Sequence, residues 1–354
     1  MLCGRILRHG SSDLFIAEIT ETGGPYRKQK HHSNRGSIPQ MNDVSLSKKR
    51  VFECLLRGTL MNFLYYDVVS IILEYVTSIH FDVVRSFGAK GVTDHKFKFP
   101  DNFCFYRDEI FIVDTVDTVA HIQVFEQSTG RFLRKWNTIV VDHYRALCSI
   151  AVDEQEVFFT DSISDHIQVF DLEKGHLLRR WDGSDGGMKL NGPIALYIFN
   201  REIFVSDYWN HRVVVFTKEG RAKTSIQTLP KTQNMYPWGM TSDQGELFIA
   251  DTAHDRIQVF AMQPDNSYTY NRQYGSGNKS DRKSELSNPV GCVTHGCDLI
   301  VCDRGKGLCV FNRETMEVER LFSHTFTCRS VLAINGNNEL YVCDSRNGCL
   351  LVFQ

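Results

Sequence analysis

The sequence contains no long apolar run of the kind that crosses a membrane as a helix. Its longest apolar-leaning stretch, residues 63–79, is interrupted by Asp67 and Glu74, so no membrane partner is expected. Residues 1–10 carry basic side chains, and no uninterrupted apolar segment follows them, so no secretory signal is indicated. We therefore expect an intracellular protein located in the cytoplasm, with the nucleus as the alternative.

Closely spaced cysteine pairs of the kind that bind structural zinc are also missing. The chain has 11 cysteines but no Cys-x-x-Cys, so neither a zinc ribbon nor a RING domain is predicted. Without a secretory route these thiols should stay reduced. Cys104, Cys148, Cys302 and Cys343 lie in apolar runs, where a free cysteine behaves as a small buried hydrophobic residue. No metal and no other cofactor is predicted.

A large excess of one charge is absent as well. The net charge is −2, which gives no reason to expect DNA as a partner. The charge is uneven, because residues 1–80 hold ten Lys and Arg against seven Asp and Glu, whereas residues 81–354 hold 30 against 35. Residues 1–46 are basic and polar and have few apolar runs, a composition typical of disorder. We predict a disordered basic tail there.

A phrase that recurs six times is the main signal in the chain. Each copy reads as an acidic residue, a short apolar run, an Asp, a polar turn and a second run that ends in Phe. The closing residues are Phe125, Phe170, Phe216, Phe260, Phe311 and Phe353, which are 45, 46, 44, 51 and 42 positions apart. A spacing of about 40–45 residues is typical of a propeller blade of four strands. The sequence therefore predicts an all-β, six-bladed β-propeller over residues 80–354.

The recurring aspartates are predicted to be structural. Each one ends an apolar strand and is followed by turn-forming residues, where a short carboxylate side chain can accept hydrogen bonds from backbone N–H groups two residues on. Regular recurrence in every copy favours this role over a functional site. The six residues are Asp114, Asp161, Asp207, Asp251, Asp303 and Asp344.

The ring cannot be completed by the six copies alone. The last copy ends at Phe353, so its blade lacks a fourth strand, and the stretch 81–88 ahead of the first blade matches the missing one. We expect this N-terminal strand to pair with the last blade, because closure removes the exposed edges of the ring.

Residues 47–79 form a third segment, with apolar residues at helical spacing. The stretch 63–76 resembles the first helix of an F-box, with Tyr65 where that pattern has Pro. Two interpretations remain open. The helix packs on the propeller, or it recruits a ubiquitin-ligase scaffold while the propeller selects substrates, using an apolar face suited to a groove.

The repeated phrase resembles the NHL repeat, an apolar strand followed by Asp, a turn with Asn-His-Arg and then Ile-Gln-Val-Phe. The best copy spans residues 207–216, and Asp251 with residues 256–260 is similar. The resemblance covers residues 81–354. It implies a rigid binding platform, because NHL propellers are known as substrate- or RNA-binding ends of tripartite-motif ligases, as extracellular modules and in the amidating lyase.

Three functions follow as hypotheses. The first is a non-catalytic protein-interaction scaffold, which could serve as a substrate receptor in ubiquitin-dependent degradation. The second is RNA binding through a basic and aromatic patch. A hydrolase or lyase fits less well, because the predicted inner strands are nearly free of acid–base residues and only Asp153 and His295 lie near their ends. Candidate partner-binding residues are Tyr208, Trp209, His211, Arg212, Tyr236 and Trp238, unless these rings pack between blades.

Overall fold

The computed structural model describes residues 2–8, 15–21, 82–116, 119–140, 149–227, 234–275, 286–322 and 332–354. The chain divides into two compact units, Met1–Ser78 and Ile79–Gln354. Within the described residues, no helix has both the length and the apolar character needed to cross a membrane.

In the first unit, the structure describes an antiparallel hairpin. Strand β1 (Leu2–Arg8) pairs with β2 (Phe15–Glu21) in a register that runs from Leu2 opposite Glu21 to Arg8 opposite Phe15. Both strands lie in the segment 1–46, for which the sequence predicts disorder. The predicted helix 63–76 lies outside the described residues.

The second unit consists of six antiparallel sheets of four strands each. Blade one consists of β4 (Pro100–Tyr106), β5 (Glu109–Val116), β6 (Val119–Glu126) and β7 (Phe132–Val140). Blade two consists of β8 (Ile150–Asp153), β9 (Glu156–Asp161), β10 (His166–Asp171) and β11 (Leu177–Trp181). Blade three consists of β12 (Pro193–Phe199), β13 (Glu202–Asp207), β14 (Arg212–Thr217) and β15 (Ala222–Ile226).

Blades four to six follow the same order, with one exception in the sixth. Blade four consists of β16 (Pro237–Asp243), β17 (Glu246–Asp251), β18 (Arg256–Met262) and β19 (Tyr268–Tyr274). Blade five consists of β20 (Pro289–His295), β21 (Asp298–Asp303), β22 (Gly307–Asn312) and β23 (Val318–Phe322). Blade six consists of β24 (Leu332–Ile334), β25 (Leu340–Asp344), β26 (Cys349–Phe353) and, as its fourth strand, the N-terminal β3 (Val83–Phe87). Short 3-10 turns span Ser184–Gly186, Tyr208–Asn210 and Thr252–His254.

The first strands of consecutive blades lie against one another, β4 with β8, β8 with β12, β12 with β16, β16 with β20 and β20 with β24. The first strand of each blade is therefore innermost and the fourth is outermost. This arrangement confirms the predicted six-bladed propeller. Every pairing between a third and a fourth strand shifts register just before the closing Phe, a bulge that adds local twist to each blade.

The predicted closure by an N-terminal strand is also confirmed. Strand β3 pairs antiparallel with β26, with Ser86 opposite Leu351. On the inner side of this junction, the hydroxyl of Ser345 donates to the carbonyl oxygen of Pro100 at 2.6 Å. On the outer side, Nη1 of Arg85 donates to the carbonyl oxygen of Ser128 at 2.9 Å. Blades six and one are thus joined across the full width of the sheet.

Neighbouring blades are packed together by outer-strand tryptophans. A Cβ atom on Gly175 would lie 2.4 Å from Cδ1 of Trp136, and one on Gly220 would lie 2.5 Å from the ring of Trp181. Each indole therefore rests on the backbone of a turn in the following blade, where any side chain would displace it. Such close contact is typical of protein interiors, which are packed to crystal density.

Four cysteines were predicted to be buried and reduced. Cys343 is buried and Cys104 is half-buried, and loss of hydration raises the pKa of both thiols, in agreement with an inert structural role. Cys302 is different, because it is disulfide-bonded and is not a reduced thiol. The prediction for Cys302 rested on the assumed cellular compartment and not on its neighbours in the fold. Cys148 lies outside the described residues.

Candidate functional site

One side of the propeller carries the turns between the second and third strands of the blades. The first and second strands of each blade are antiparallel, so the first strand begins near the end of the second, as Pro193 lies opposite Asp207. The connections that lead into each blade therefore reach the same side. We call this side the turn face, and all the candidate partner-binding residues lie on it or at its edge.

The six recurrent aspartates form the frame of the turn face. All six are buried; five of them end a second strand, and Asp114 lies two residues before the end of β5. Asp161, Asp303 and Asp344 accept backbone N–H groups two and three residues on, which is the bonding that a turn-capping role requires.

Four of these carboxylates also bind the segment that leads into the blade. Asp114 accepts the N–H of Phe99, Asp207 that of Asn191, Asp251 that of Tyr236 and Asp303 that of Ser287, over 2.6–2.9 Å. The carboxylate therefore fixes the incoming connection, and in blade five it holds the turn as well. The hydrogen bonds between the aspartate and its own turn can be predicted from the sequence, because they join residues two or three positions apart. The hydrogen bond between the aspartate and the incoming connection joins residues 15 or 16 positions apart and was not predicted.

Burial dominates the protonation of two of these groups. Loss of hydration raises the pKa of Asp114 and of Asp303 to about 6, although backbone N–H donors oppose the shift at both sites. The pKa of Asp207 is also raised by burial, against the donors Asn191, Asn210 and Arg212. These carboxylates are used for structural hydrogen bonds.

Aromatic rings cluster on the turn face between blades three and four. The ring of Tyr208 contacts those of Trp209, Tyr236 and Trp238, with centroids 4.9, 5.3 and 5.8 Å apart. The ring of His211 lies 4.5 Å from that of Tyr236. We call these five residues the aromatic cluster. Edge-to-face contacts of this kind hold each ring in a fixed orientation.

Trp209 is the most exposed member of the aromatic cluster, with 60% of its surface accessible. Its backbone N–H donates to Asn191 over 3.2 Å, and its indole lies on Gly192, where a Cβ would be 2.5 Å from Cδ1. Gly192 has φ +63°, which favours glycine in its own right. The side chain of Trp209 is therefore held in one position by these contacts, although most of its surface is exposed to solvent.

The other candidate residues differ in exposure and in role. Trp238 is only 5% exposed and packs in the core, as the alternative interpretation of the aromatic rings expects. Arg212 donates through Nε to Asp207 at 2.7 Å and through Nη2 to the carbonyl oxygen of Lys189 at 2.9 Å, so it stabilises the turn. His211 has its Nδ1 3.2 Å from the carbonyl oxygen of Met235.

Sequence reasoning did not identify Arg304 as part of this region. The residue is exposed, and its guanidinium lies 4.3 Å from the centre of the Trp238 ring. Arg304 directly follows Asp303, just as Tyr208 follows Asp207 in blade three. Alignment of the six phrases would have placed both residues at one position of neighbouring turns and so could have suggested Arg304.

The residues considered for catalysis lie apart from the aromatic cluster. Asp153 ends β8 and forms an ion pair with Lys218 of the next blade, and His295 ends β20. In the part of the chain that the structure describes, no group of three or more His, Cys, Asp or Glu residues could hold a metal ion.

Comparisons with known proteins support no family assignment. No protein-family model matches the chain, and no curated protein matches it. Among solved structures, a functionally unknown protein from Desulfotomaculum acetoxidans DSM 771 is similar at 12% identity and a TM-score of 0.48, over 63% of this chain and 71% of that one. BamB from Moraxella catarrhalis is similar at 15% identity and a TM-score of 0.41, over 71% of this chain and 68% of that one. Neither likeness bears on function.

Proposed function

We propose that this chain is a non-catalytic protein-interaction module built on an NHL-type propeller, with a partner that binds the turn face at blades three and four. The observation that carries the proposal is the exposed indole of Trp209 within the aromatic cluster. Large aromatic side chains are enriched among the residues that dominate binding energy. Loops and turns on a rigid scaffold are where binding residues concentrate.

The way in which Trp209 is held supports the proposal. Its ring is fixed by Gly192 beneath it and by Tyr208 beside it, so little side-chain entropy remains to be lost on binding. A partner that covers the indole gains the burial of a large apolar surface, at about 25 cal/mol per Å². The buried Trp238 packs against the half-buried Tyr208, which in turn contacts the exposed ring of Trp209.

We extend the proposal to a cellular role. The F-box-like pattern at residues 63–76 would recruit a ubiquitin-ligase scaffold inside the cell, in the cytoplasm, while the propeller selects the substrate. The support for this role is the sequence pattern together with the general use of β-propellers as interaction scaffolds. The segment itself lies outside the described residues.

The test is affinity capture from cell lysate with the full chain, followed by mass spectrometry with and without nuclease. Trp209→Ala should remove a nuclease-resistant set of proteins, because it deletes the exposed ring without disturbing the core. Ile163→Ala is the matched control, since Ile163 is an exposed apolar residue in the corresponding turn of blade two. Both variants should keep the melting temperature of the parent protein.

The outcomes of this capture experiment separate the functions. Recovery of ligase scaffold proteins by the parent chain would support the receptor role. Recovery that disappears with nuclease would replace the proposal with RNA binding. A protein set that is unchanged by Trp209→Ala would show that the aromatic cluster is not the interface.

A further inference from the structure

Three polar groups of the aromatic cluster take no part in the hydrogen bonding of the fold. They are the indole N–H of Trp209 and the hydroxyls of Tyr208 and Tyr236, and none of them has a hydrogen-bond partner among the residues that the structure describes. The backbone N–H groups of the same three residues, in contrast, are bonded within the turn face. The backbone is therefore fixed, and the three polar side-chain groups stay available to a partner.

These three groups are accessible from solvent and act as donors. Tyr208 and Tyr236 are half-buried, but neither of their hydroxyl oxygens is fully enclosed. Burial and, after it, the neighbouring Tyr236 raise the pKa of Tyr208 above its ordinary value of 10.0, so this phenol keeps its proton at neutral pH. The indole N–H of Trp209 can only donate. A ligand that binds here therefore needs to supply acceptors.

The rings that carry these donors stand at steep angles to one another. The planes of Tyr208 and Trp209 are 89° apart with their centroids at 4.9 Å, and those of Tyr208 and Tyr236 are 61° apart at 5.3 Å. The surface is therefore a set of angled rings and not one flat platform. A nucleobase stacks on a single flat face, whereas a compact aliphatic ring can contact two angled rings at once.

A proline-rich segment has the chemistry that complements these rings and donors. Proline carries a compact apolar ring and has no backbone N–H. In the polyproline II conformation the backbone makes no internal hydrogen bonds, so its carbonyl oxygens are free to accept. Such a segment is already extended before it binds, and aromatic-lined surfaces recognise it for this reason.

We infer that the turn face binds a proline-rich segment of a partner protein in the polyproline II conformation. Proline rings pack against the angled rings of Trp209 and Tyr208, and main-chain carbonyl oxygens of the segment accept from the indole N–H and from the hydroxyls of Tyr208 and Tyr236. The inference rests on the proposed function and names the class of the partner. Side chains with an apolar ring and a polar end suit such a contact, because one end packs while the other donates.

A proline-rich segment fits these observations better than RNA does. Tight RNA binding requires several cations that neutralise successive phosphates, and it weakens steeply as salt is raised. The sequence from residue 81 to residue 354 holds 30 Lys and Arg against 35 Asp and Glu. An uncharged segment needs no cations, and its binding should therefore be almost independent of salt.

The test is a binding titration of the full chain with a fluorescein-labelled oligoproline, followed by fluorescence anisotropy at low and high salt. The matched ligand is a labelled peptide of Gly and Ser of the same length, and a labelled single-stranded RNA serves as the third probe. The oligoproline should bind about tenfold more tightly than the Gly and Ser peptide, which corresponds to about 1.4 kcal/mol. Its affinity should be the same at both salt concentrations.

Three variants connect the binding to this surface. Trp209→Ala should weaken the oligoproline about tenfold, a loss of about 1.4 kcal/mol. Tyr208→Phe and Tyr236→Phe keep the rings and remove only the donors, and each should weaken it about fivefold, a loss of about 1 kcal/mol. Tyr270→Phe, which changes an exposed tyrosine on the outer strand β19, should bind like the parent. Equal melting temperatures confirm that all four variants are folded.

The remaining outcomes would overturn the inference. Oligoproline that fails to bind, or that binds no better than the Gly and Ser peptide, would show that proline is not recognised. Parent-like affinity of both Phe variants would show that the inferred hydrogen bonds do not form, and RNA that binds more tightly and displaces the oligoproline would show a nucleic-acid site. The proposed function is judged separately, because lysate proteins recovered through Trp209 would sustain it even where the oligoproline fails.

Discussion

The corresponding turns of blades two and three have the same buried aspartate and differ in the side chains that they expose to solvent. In both, a buried aspartate ends the second strand and accepts hydrogen bonds from the turn. The turn of blade two exposes Ile163 and Ser164, whereas that of blade three exposes Trp209 beside Tyr208. The repeat therefore fixes the backbone, and the side chains after the aspartate distinguish one blade from another.

The two aspartates also differ in their partners. Asp207 forms an ion pair with Arg212, whose side chain is 17% exposed. Among the residues that the structure describes, Asp161 accepts only backbone N–H groups and the amide of Gln168. Removal of an aspartate should therefore have different consequences in the two blades. This difference can be tested by substitutions at equivalent positions.

The largest effect is expected for Asp207→Ala, which leaves the partly buried Arg212 without its carboxylate. We expect a loss of about 3 kcal/mol in the free energy of unfolding, within the range for a broken buried ion pair. Asp161→Ala removes bonds to neutral donors and should cost about 1 to 2 kcal/mol. Urea unfolding followed by circular dichroism measures both values, and equal losses would show that the ion pair adds nothing.

A second pair of substitutions tests how blade three holds its exposed ring. Gly187 and Gly192 lie in the same connection with φ +68° and +63°, but only a Cβ on Gly192 would collide with Trp209. Alanine should cost about 1 kcal/mol at either position because of the left-handed backbone. Gly192→Ala should in addition change the tryptophan fluorescence, and this change should disappear when Trp209 is also replaced by Ala. Identical spectra for the two alanine variants would contradict the packing.

The smallest effect concerns an aspartate without a cation. Asp303 accepts backbone N–H groups, forms no ion pair with the residues that the structure describes, and has a pKa raised by burial to about 6. Its folded-state pKa exceeds the ordinary value of 3.8, so the folded protein binds the proton more tightly. Stability from this group is present at low pH and is lost as the pH rises through 6.

The corresponding measurement is urea unfolding at pH 5 and pH 7 for the parent and for Asp303→Asn. The asparagine side chain does not titrate in this range, so the fall in stability between these pH values should be smaller in the variant by on the order of 1 kcal/mol. Because both proteins share every other titrating group, the difference isolates Asp303. The same pH dependence in both would show that this carboxylate is ionised throughout.

The sequence was sufficient for the fold because the fold is periodic. The spacing of Phe125, Phe170 and their equivalents predicts the blades, and the unpaired last copy predicts that residues 81–88 complete the ring. The predicted role of Asp161 follows in the same way from a strand that meets a turn. Each of these features depends on residues that are close in sequence or repeated along it.

The candidate site was harder to predict from the sequence, because contacts between blades decide which residues of the turn face are buried. Trp209 and Trp238 read alike in the sequence, yet one is exposed and the other is buried under Arg304 of blade five. The contact between Trp181 and Gly220 likewise joins two blades through residues about 40 positions apart. No local pattern reports such contacts.

The closure by β3 also has a consequence for the order of folding. Blades one to five pair strands that are neighbours in sequence, so each can form as soon as its own segment has left the ribosome. The sixth must wait, because Ser86 and Leu351 are 265 positions apart. The entropic cost of so long a loop grows only logarithmically, but such distant contacts form slowly. During synthesis the chain is therefore an open arc with unpaired strand edges, the stage at which it is most exposed to aggregation.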